Sequence, residues 1–322
     1  MTTTETSQAT ALTAPDVERA FAQPHAYLAL GGGRLAYWRF GAGPDVVLIH
    51  GWPLHAATFR HIIPGLARSF TLHLFDRPGT GHTEWTGPSD FAAQVQTVRH
   101  LIDKLGLRDH AILAHDVGGA IARHAIADDS RVRALVLGNT EIPGHHAWLV
   151  EIYGAAFKVP GMSRLLLAAM RIPAVRRSFL GFGGCFSDPA YVDGDFGQRF
   201  IQPLIHSRRV AEGHVAFLRD FDFGLVQDLG AVHARIQAPV LCIWGPEDPF
   251  FPIAKTRRIL GQFAGGAELV EIPGAKLFAH EDHPEAFVAH AAPFLARHLH
   301  TSPSSRGEPA QERPVPGNAA RP

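Results

Sequence analysis

The sequence has almost no cysteine and no excess charge of either sign, and each shortage removes a class of function. Its two cysteines, Cys185 and Cys242, lie far apart with no close-spaced partners, which excludes a disulfide scaffold or a zinc knuckle and makes a reducing cytoplasm the expected location. Thirty basic side chains balance thirty acidic ones, so no net field draws nucleic acid or an anionic membrane. No stretch approaches the roughly 18 uninterrupted apolar residues of a spanning helix. The opening "MTTTETSQATALTAPD" lacks the basic start and apolar run of a signal peptide. No spacing of His, Asp or Glu demands a metal, and neither metal nor cofactor is expected. A small apolar substrate and water suit such a chain, with no nucleic acid and no membrane as partners.

What is present is enough apolar content, 46% of 322 residues, to bury a large core. Residues 1–23 are rich in Thr, Ala and Ser, and residues 301–322 in Pro, Ser, Gly and charge; both are expected to be disordered tails. Between them, short apolar runs ("RLAYWRF", "DVVLIH", "FTLHLFD", "HAILAH", "VRALVLGNT") alternate with helical patterns such as "FAAQVQTVRHLIDKLG", the signature of βαβ units and a covered parallel sheet. The rhythm breaks after Glu141 into a helical stretch and resumes at "APVLCIWG". The expected organisation is a core over 24–143, a helical insertion over 144–232 and a second core segment over 233–300.

Three strand-end turns carry chemistry. In "ILAHDVGG", Asp116 stands among small residues where an apolar strand meets a helix, a sharp turn that aims the central side chain over the sheet edge; capping the following helix is the plainer use of an aspartate there. "LIHGWP" offers the backbone N–H of Trp52 on a turn Gly51 permits, and together with the N–H of Val117 it would make an oxyanion hole. Trp52 is equally a core residue shielding the sheet edge or a substrate-pocket wall. In "WGPEDPFFP", Asp248 is placed to orient a histidine, or simply turns the chain before Pro249.

These motifs, with "FDRPGTGHTE" and "IPGA…EDHPE" in the same order, resemble the α/β-hydrolase superfamily and its aspartate-nucleophile branch, the epoxide hydrolases and haloalkane dehalogenases. The resemblance spans roughly Ala26 to His298 and is weakest in the insertion. It implies a mostly parallel eight-stranded sheet flanked by helices, with an inserted helical cap. It also implies Asp116 as nucleophile, Asp248 as the acid partner, and Trp52 and Val117 as the oxyanion hole. In such chemistry a carboxylate attacks an sp³ carbon and leaves an alkyl ester, which water, activated by a histidine, then cleaves.

One stretch departs from the pattern. Alignment on "IPGA" and "EDHPE" puts Leu277 where relatives place the histidine. His280, one helical turn on, is the nearest substitute; His283, just before Pro284, suits a surface or capping role, and a chain with no working base is the third possibility. Asn139 and Glu141 follow the strand from which some dehalogenases project their acid, Glu141 being shifted by about two residues from that pattern, so it is either a second acid or a hydrogen-bonding residue at the cap hinge. Relatives that open epoxides use two cap tyrosines, and here Tyr153 and Tyr191 are the available pair for substrate binding. Val117 cannot supply the side-chain donor that dehalogenases place after the nucleophile. The leading expectation is an epoxide hydrolase-like enzyme on a small apolar substrate. A haloalkane dehalogenase-like enzyme, and a homologue that binds a ligand without turning it over, are the alternatives.

Overall fold

The computed structural model describes residues 12–299. Apolar and β-branched runs form β1 (Ala26–Leu30), β2 (Gly33–Phe40), β3 (Asp45–Ile49), β4 (Thr71–Phe75), β5 (Glu84–Trp85), β6 (His110–His115), β7 (Val132–Gly138), β8 (Val240–Trp244) and β9 (Ala267–Glu271). Eight strands run in the order β1-β2-β4-β3-β6-β7-β8-β9, and the two-residue β5 pairs with β2 as a ninth. From β4 to β9 all neighbours are parallel, while β1, β2 and β5 pair antiparallel. Strands β4, β6 and β8 are buried along their whole length, as a parallel sheet covered on both faces requires. The chain leaves β3 toward β4 and returns on the other side to β6, so the loops following β3 and β6 diverge at a switch point, where such sheets bind ligands.

Between β7 and β8 the chain forms helices at Trp148–Phe157, Met162–Ala169, Pro173–Arg177, Gln202–His206, Arg208–Arg219 and Gly224–Gln227. These cover the C-terminal edge of the sheet and carry the exposed Trp148, Ile152 and Leu165. The next helix, Leu229–His233, packs on the core instead: Nε2 of His233 accepts from Arg123, on the helix Val117–Ile126, at 3.0 Å.

The disordered reading of 1–23 needs correction at its C-terminal part. Ala14–Ala20 is a helix opened by a capping box between Thr13 and Asp16, with Pro15 in its first turn. Val17 and Phe21 are buried, and the Trp38 indole donates to the carbonyls of Ala20 and Gln23 at 2.9 and 3.1 Å. Composition pointed to a tail, but a short capped helix with one apolar side is stable once the sheet supplies a surface to bury it. Residues 1–11 and 300–322 lie outside the described residues, and the remaining tail assignments fall there.

Candidate active site

Asp116 sits between β6 and the helix Val117–Ile126 at φ 50°, ψ −141°, a conformation that costs energy for any residue with a Cβ. Its surroundings over-determine it. The Asp116 N–H donates to the Asn139 carbonyl at 2.8 Å, and the Asp116 carbonyl accepts from Gly119 N–H at 2.7 Å and lies 2.8 Å from the Thr140 hydroxyl. The small neighbours are needed: a Cβ on Gly118 would run into the carbonyls of Ile49 and His50, and one on Gly51 would lie 2.5 Å from both Cβ and Oδ2 of Asp116. The side chain makes no helix cap. Instead Oδ2 accepts the N–H of Trp52 at 2.7 Å, and the N–H of Val117 also bonds the carboxyl. The three residues expected at the elbow and oxyanion hole are therefore together. Burial, and after it the neighbouring Glu141, raises the Asp116 carboxyl well above its usual range, against the pull of these two N–H donors.

Two lobes of one cavity meet at Asp116, Trp52, Val150 and Phe251, which line both. The larger, about 110 Å³, is walled by apolar side chains including Leu149, Met170, Phe182 and Leu277. The smaller, about 60 Å³, adds Val117, Glu141 and His145. Both are well below the several hundred Å³ of a drug-sized site. A far larger open groove, about 1080 Å³, runs along the outside of the cap and does not reach Asp116. The smaller cavity is the candidate site because the polar groups converge there.

Asp248 stands at the turn after β8, held by N–H donors from Phe250, at 2.7 Å, and Phe251, and by Nδ2 of Asn139 at 2.6 Å. Burial pushes its carboxyl up to about 7 despite these donors. Asn139 thus joins the two acids, receiving Asp116 on its main chain and holding Asp248 with its side chain. Asp248 itself does not line the cavity.

Leu277 stands at the position where the sequence resemblance leads one to expect the histidine. Its side chain lines the larger lobe, and its carbonyl accepts Nε2–H of His115, the residue just before Asp116, at 2.9 Å. Here the expectation of a relocated base is corrected. His280 is 1% exposed, bonded through Nε2 to the Thr58 hydroxyl at 2.8 Å and packed against His115 and Phe59, and it is absent from both lobes. The cause is visible one residue on: Glu281 is buried against Arg60 at 2.8 Å and Thr58 at 3.0 Å, which turns this helical segment into the core. Burial, then His115, holds the His280 imidazole well below its usual value. His283 meets the Ser187 hydroxyl at 3.1 Å.

The two tyrosines separate. Tyr153 lines the larger lobe with its hydroxyl given to the Leu180 carbonyl. Tyr191 lies outside both lobes, its hydroxyl 3.4 Å from His61 and from Glu281, which corrects its place in a substrate site. Sequence reasoning also passed over His214 in the cap helix, which lines the larger lobe and whose main-chain carbonyl accepts the Trp52 indole N–H at 3.0 Å. Its only sequence signal was a histidine at the buried face of an amphipathic helix, shared by many core histidines. Among the described residues no group of His, Cys, Asp and Glu is arranged to hold a metal ion, and no helix is long and apolar enough to cross a membrane.

Residues 44–172 match the family described as the alpha/beta hydrolase fold. The chain is 29% identical to haloalkane dehalogenase 2 of Mycobacterium tuberculosis (strain ATCC 25618 / H37Rv) over 271 residues, 80% of this chain and 90% of that protein. It is 35% identical to the soluble epoxide hydrolase of Corynebacterium sp. (strain C12) over 138 residues, 42% of this chain and 46% of that one. The solved structure of the epoxide hydrolase CorEH superposes with a TM-score of 0.71 at 20% identity, covering 85% of this chain and 98% of its own, a likeness of fold. With its mostly parallel sheet flanked by helices, the chain has the α/β-hydrolase fold. Within it, the protein is a hydrolase related to the haloalkane dehalogenases and the epoxide hydrolases.

Proposed function

We propose that the protein cleaves small apolar substrates by attack of Asp116 on an sp³ carbon, forming an alkyl ester that water then hydrolyses, with epoxides as the leading substrate class. The observation that carries this reading is the Asp116 carboxyl itself. It is held at a strained elbow, takes the N–H groups of Trp52 and Val117, and is exposed to a cavity whose larger lobe is apolar. Those two donors serve the second half-reaction, when an oxyanion develops on the ester carbonyl. Epoxides lead because a departing halide finds no free indole donor: the Trp52 N–H is given to His214 and Val117 has none. The haloalkane reading stays as the second one because the relative aligned over most of the chain bears that name. Retention of a ligand without turnover is the reading that Leu277 favours.

Incubation with 1,2-epoxybutane or 1-bromobutane, followed by intact mass and product analysis, separates the three. Repeated release of diol or alcohol, lost on Asp116→Ala, supports the enzyme. An ester that forms and persists supports an arrested homologue. No covalent adduct and no product with either probe overturns the role of Asp116.

A further inference from the structure

Resting on the reading of Asp116 as nucleophile, we propose that the outer groove of the cap is the doorway to the cavity and that its basic lining selects the substrate: a chain whose reacting end is apolar and whose far end carries an oxyanion such as a carboxylate. The groove, about 1080 Å³, and the larger lobe, about 110 Å³, share four lining residues, Phe157, Leu167, Leu204 and Val215. These come from the helices Trp148–Phe157, Met162–Ala169, Gln202–His206 and Arg208–Arg219, so the two spaces are parted where four cap helices meet. All four residues are apolar, and of them only Leu204 is fully buried. A wall of such side chains is held by packing alone and opens by rotation about their own bonds, without breaking a side-chain hydrogen bond.

The lobe by itself encloses little. Its volume is well below the several hundred Å³ of a typical small-molecule site, so it holds a short apolar segment beside Asp116, and a longer molecule must run on through the wall.

The groove supplies the charge that the lobe lacks. Its lining includes five basic residues, Lys158, Arg164, Arg171, Arg208 and Arg219, against one acid, Glu212. The imbalance is local, because the whole chain carries thirty charges of each sign. Glu212 is paired with Arg208 at 2.6 Å, and Arg219 with Asp220 at 2.6 Å. Lys158, Arg164 and Arg171 are exposed and form no ion pair among the described residues, whereas Arg176 and Arg177, elsewhere on the cap, are both given to Asp193. Each exposed contact is weak in water, so selection rests on the three acting together in a concave surface, where charge of one sign focuses its field on an incoming anion.

The two spaces set opposite preferences along one molecule. A carboxylate confined to the lobe gives up its hydration to apolar walls and meets the Asp116 carboxyl. One that reaches the groove stays hydrated and gains three cations. The preference for an acid over a neutral molecule of equal length therefore changes sign as the chain grows, which a merely basic surface would not produce.

The test follows single-turnover ester formation on the full chain by intact mass, with ω-bromoalkanoic acids from 5-bromopentanoate to 12-bromododecanoate, each beside its primary amide. The shortest acids are expected to react more slowly than their amides and the longest about tenfold faster, an advantage that shrinks as salt is raised. Arg164→Glu together with Arg171→Glu is expected to lower the acid-to-amide ratio of the longest probe about tenfold, while Arg164→Lys together with Arg171→Lys preserves it. A ratio cancels any general loss of folded protein. The same ratio at every chain length, or a ratio that charge reversal leaves in place, overturns the proposal. If no probe forms an ester, the reading of Asp116 is what has failed. Calorimetry with unreactive dodecanoate then decides the groove: binding weakened by charge reversal supports it, and binding that is absent or undiminished overturns it.

Discussion

Two loops line the cavity together, one held by the core and the other by both core and cap. The elbow after β6 is fixed by the core, through Asn139, Thr140 and the turn after β3. The segment after β9 is tied to the core through His115, Thr58 and Arg60 and also to the cap: the Ser187 hydroxyl donates to the Gly274 carbonyl at 2.8 Å, the Ser187 N–H to Asp282 at 2.6 Å, and the Phe278 ring stacks on Phe186 at 4.9 Å. The first loop holds the Asp116 carboxyl on two main-chain N–H donors, while the second turns the apolar Leu277 side chain into the cavity where the sequence resemblance leads one to expect an imidazole. Under the proposed function, a reactive carboxylate thus stays on a rigid scaffold while the group that would recycle it is moved or lost.

The largest expected effect lies on the elbow side. Asp116→Ala removes the attacking group and is expected to lower turnover about 10⁴-fold or more and to abolish the adduct seen by intact mass; residual turnover near that of the unaltered chain would break the contrast between the loops. Gly51→Ala should come next, because its Cβ would sit 2.5 Å from the Asp116 carboxyl and push it off its donors. Misplacement of that kind costs about 10²-fold, read as a fall in the rate of ester formation with 1-bromobutane.

How far each loop could be read from sequence follows the same division. The elbow was legible because its requirements are local: Ala114, Gly118 and Gly119 are small where backbone and helix approach, and Gly51 where the turn meets Asp116. The parallel sheet was legible for the same reason, in the alternation of apolar runs. The fate of His280 was not, since it depends on Arg60, on a distant part of the chain, drawing Glu281 inward. Tyr191 likewise went to the Arg60–Glu281 side of the cap, a matter of tertiary packing with no periodicity to announce it. The bridge Asn139 makes between Asp116 and Asp248 is equally non-local, although the residue itself stood out beside Glu141.

The buried Asp248 gives a smaller, pH-dependent test. Asp248 has its carboxyl raised by burial from an ordinary 3.8 to about 7. An acid bound more tightly to its proton when folded contributes stability that is complete below the unfolded value, near pH 4, and is lost as pH rises through about 7. Asp76, buried and also raised to about 7, adds a slope of the same sign, so the comparison between the unaltered chain and Asp248→Asn isolates the one residue. The melting temperature of the variant is expected to fall less steeply between pH 4 and 7; parallel curves would show that Asp248 does not titrate in this window.

The smallest effect on catalysis is expected at His280, the histidine nearest in sequence to the vacated base position. Its Nε2 is bonded to Thr58, its ring is wedged between His115 and Phe59 with centroids 4.4 and 5.3 Å away, and it is shut off from both lobes of the cavity. His280→Gln keeps a group able to bond the Thr58 hydroxyl but gives up the ring contacts, each worth about 0.5–1.5 kcal/mol beyond burial. For a domain of this size, about 1 kcal/mol corresponds to a fall in melting temperature of roughly 2–4 °C. Turnover and ester hydrolysis should stay within about twofold of the unaltered chain, since a base must come within about 2.6–3.2 Å of its water or reach it through one other. If the ester accumulated in His280→Gln while the melting temperature held, the segment after β9 would have to open in the working enzyme, and the loop that looks silent would be the one that completes the cycle.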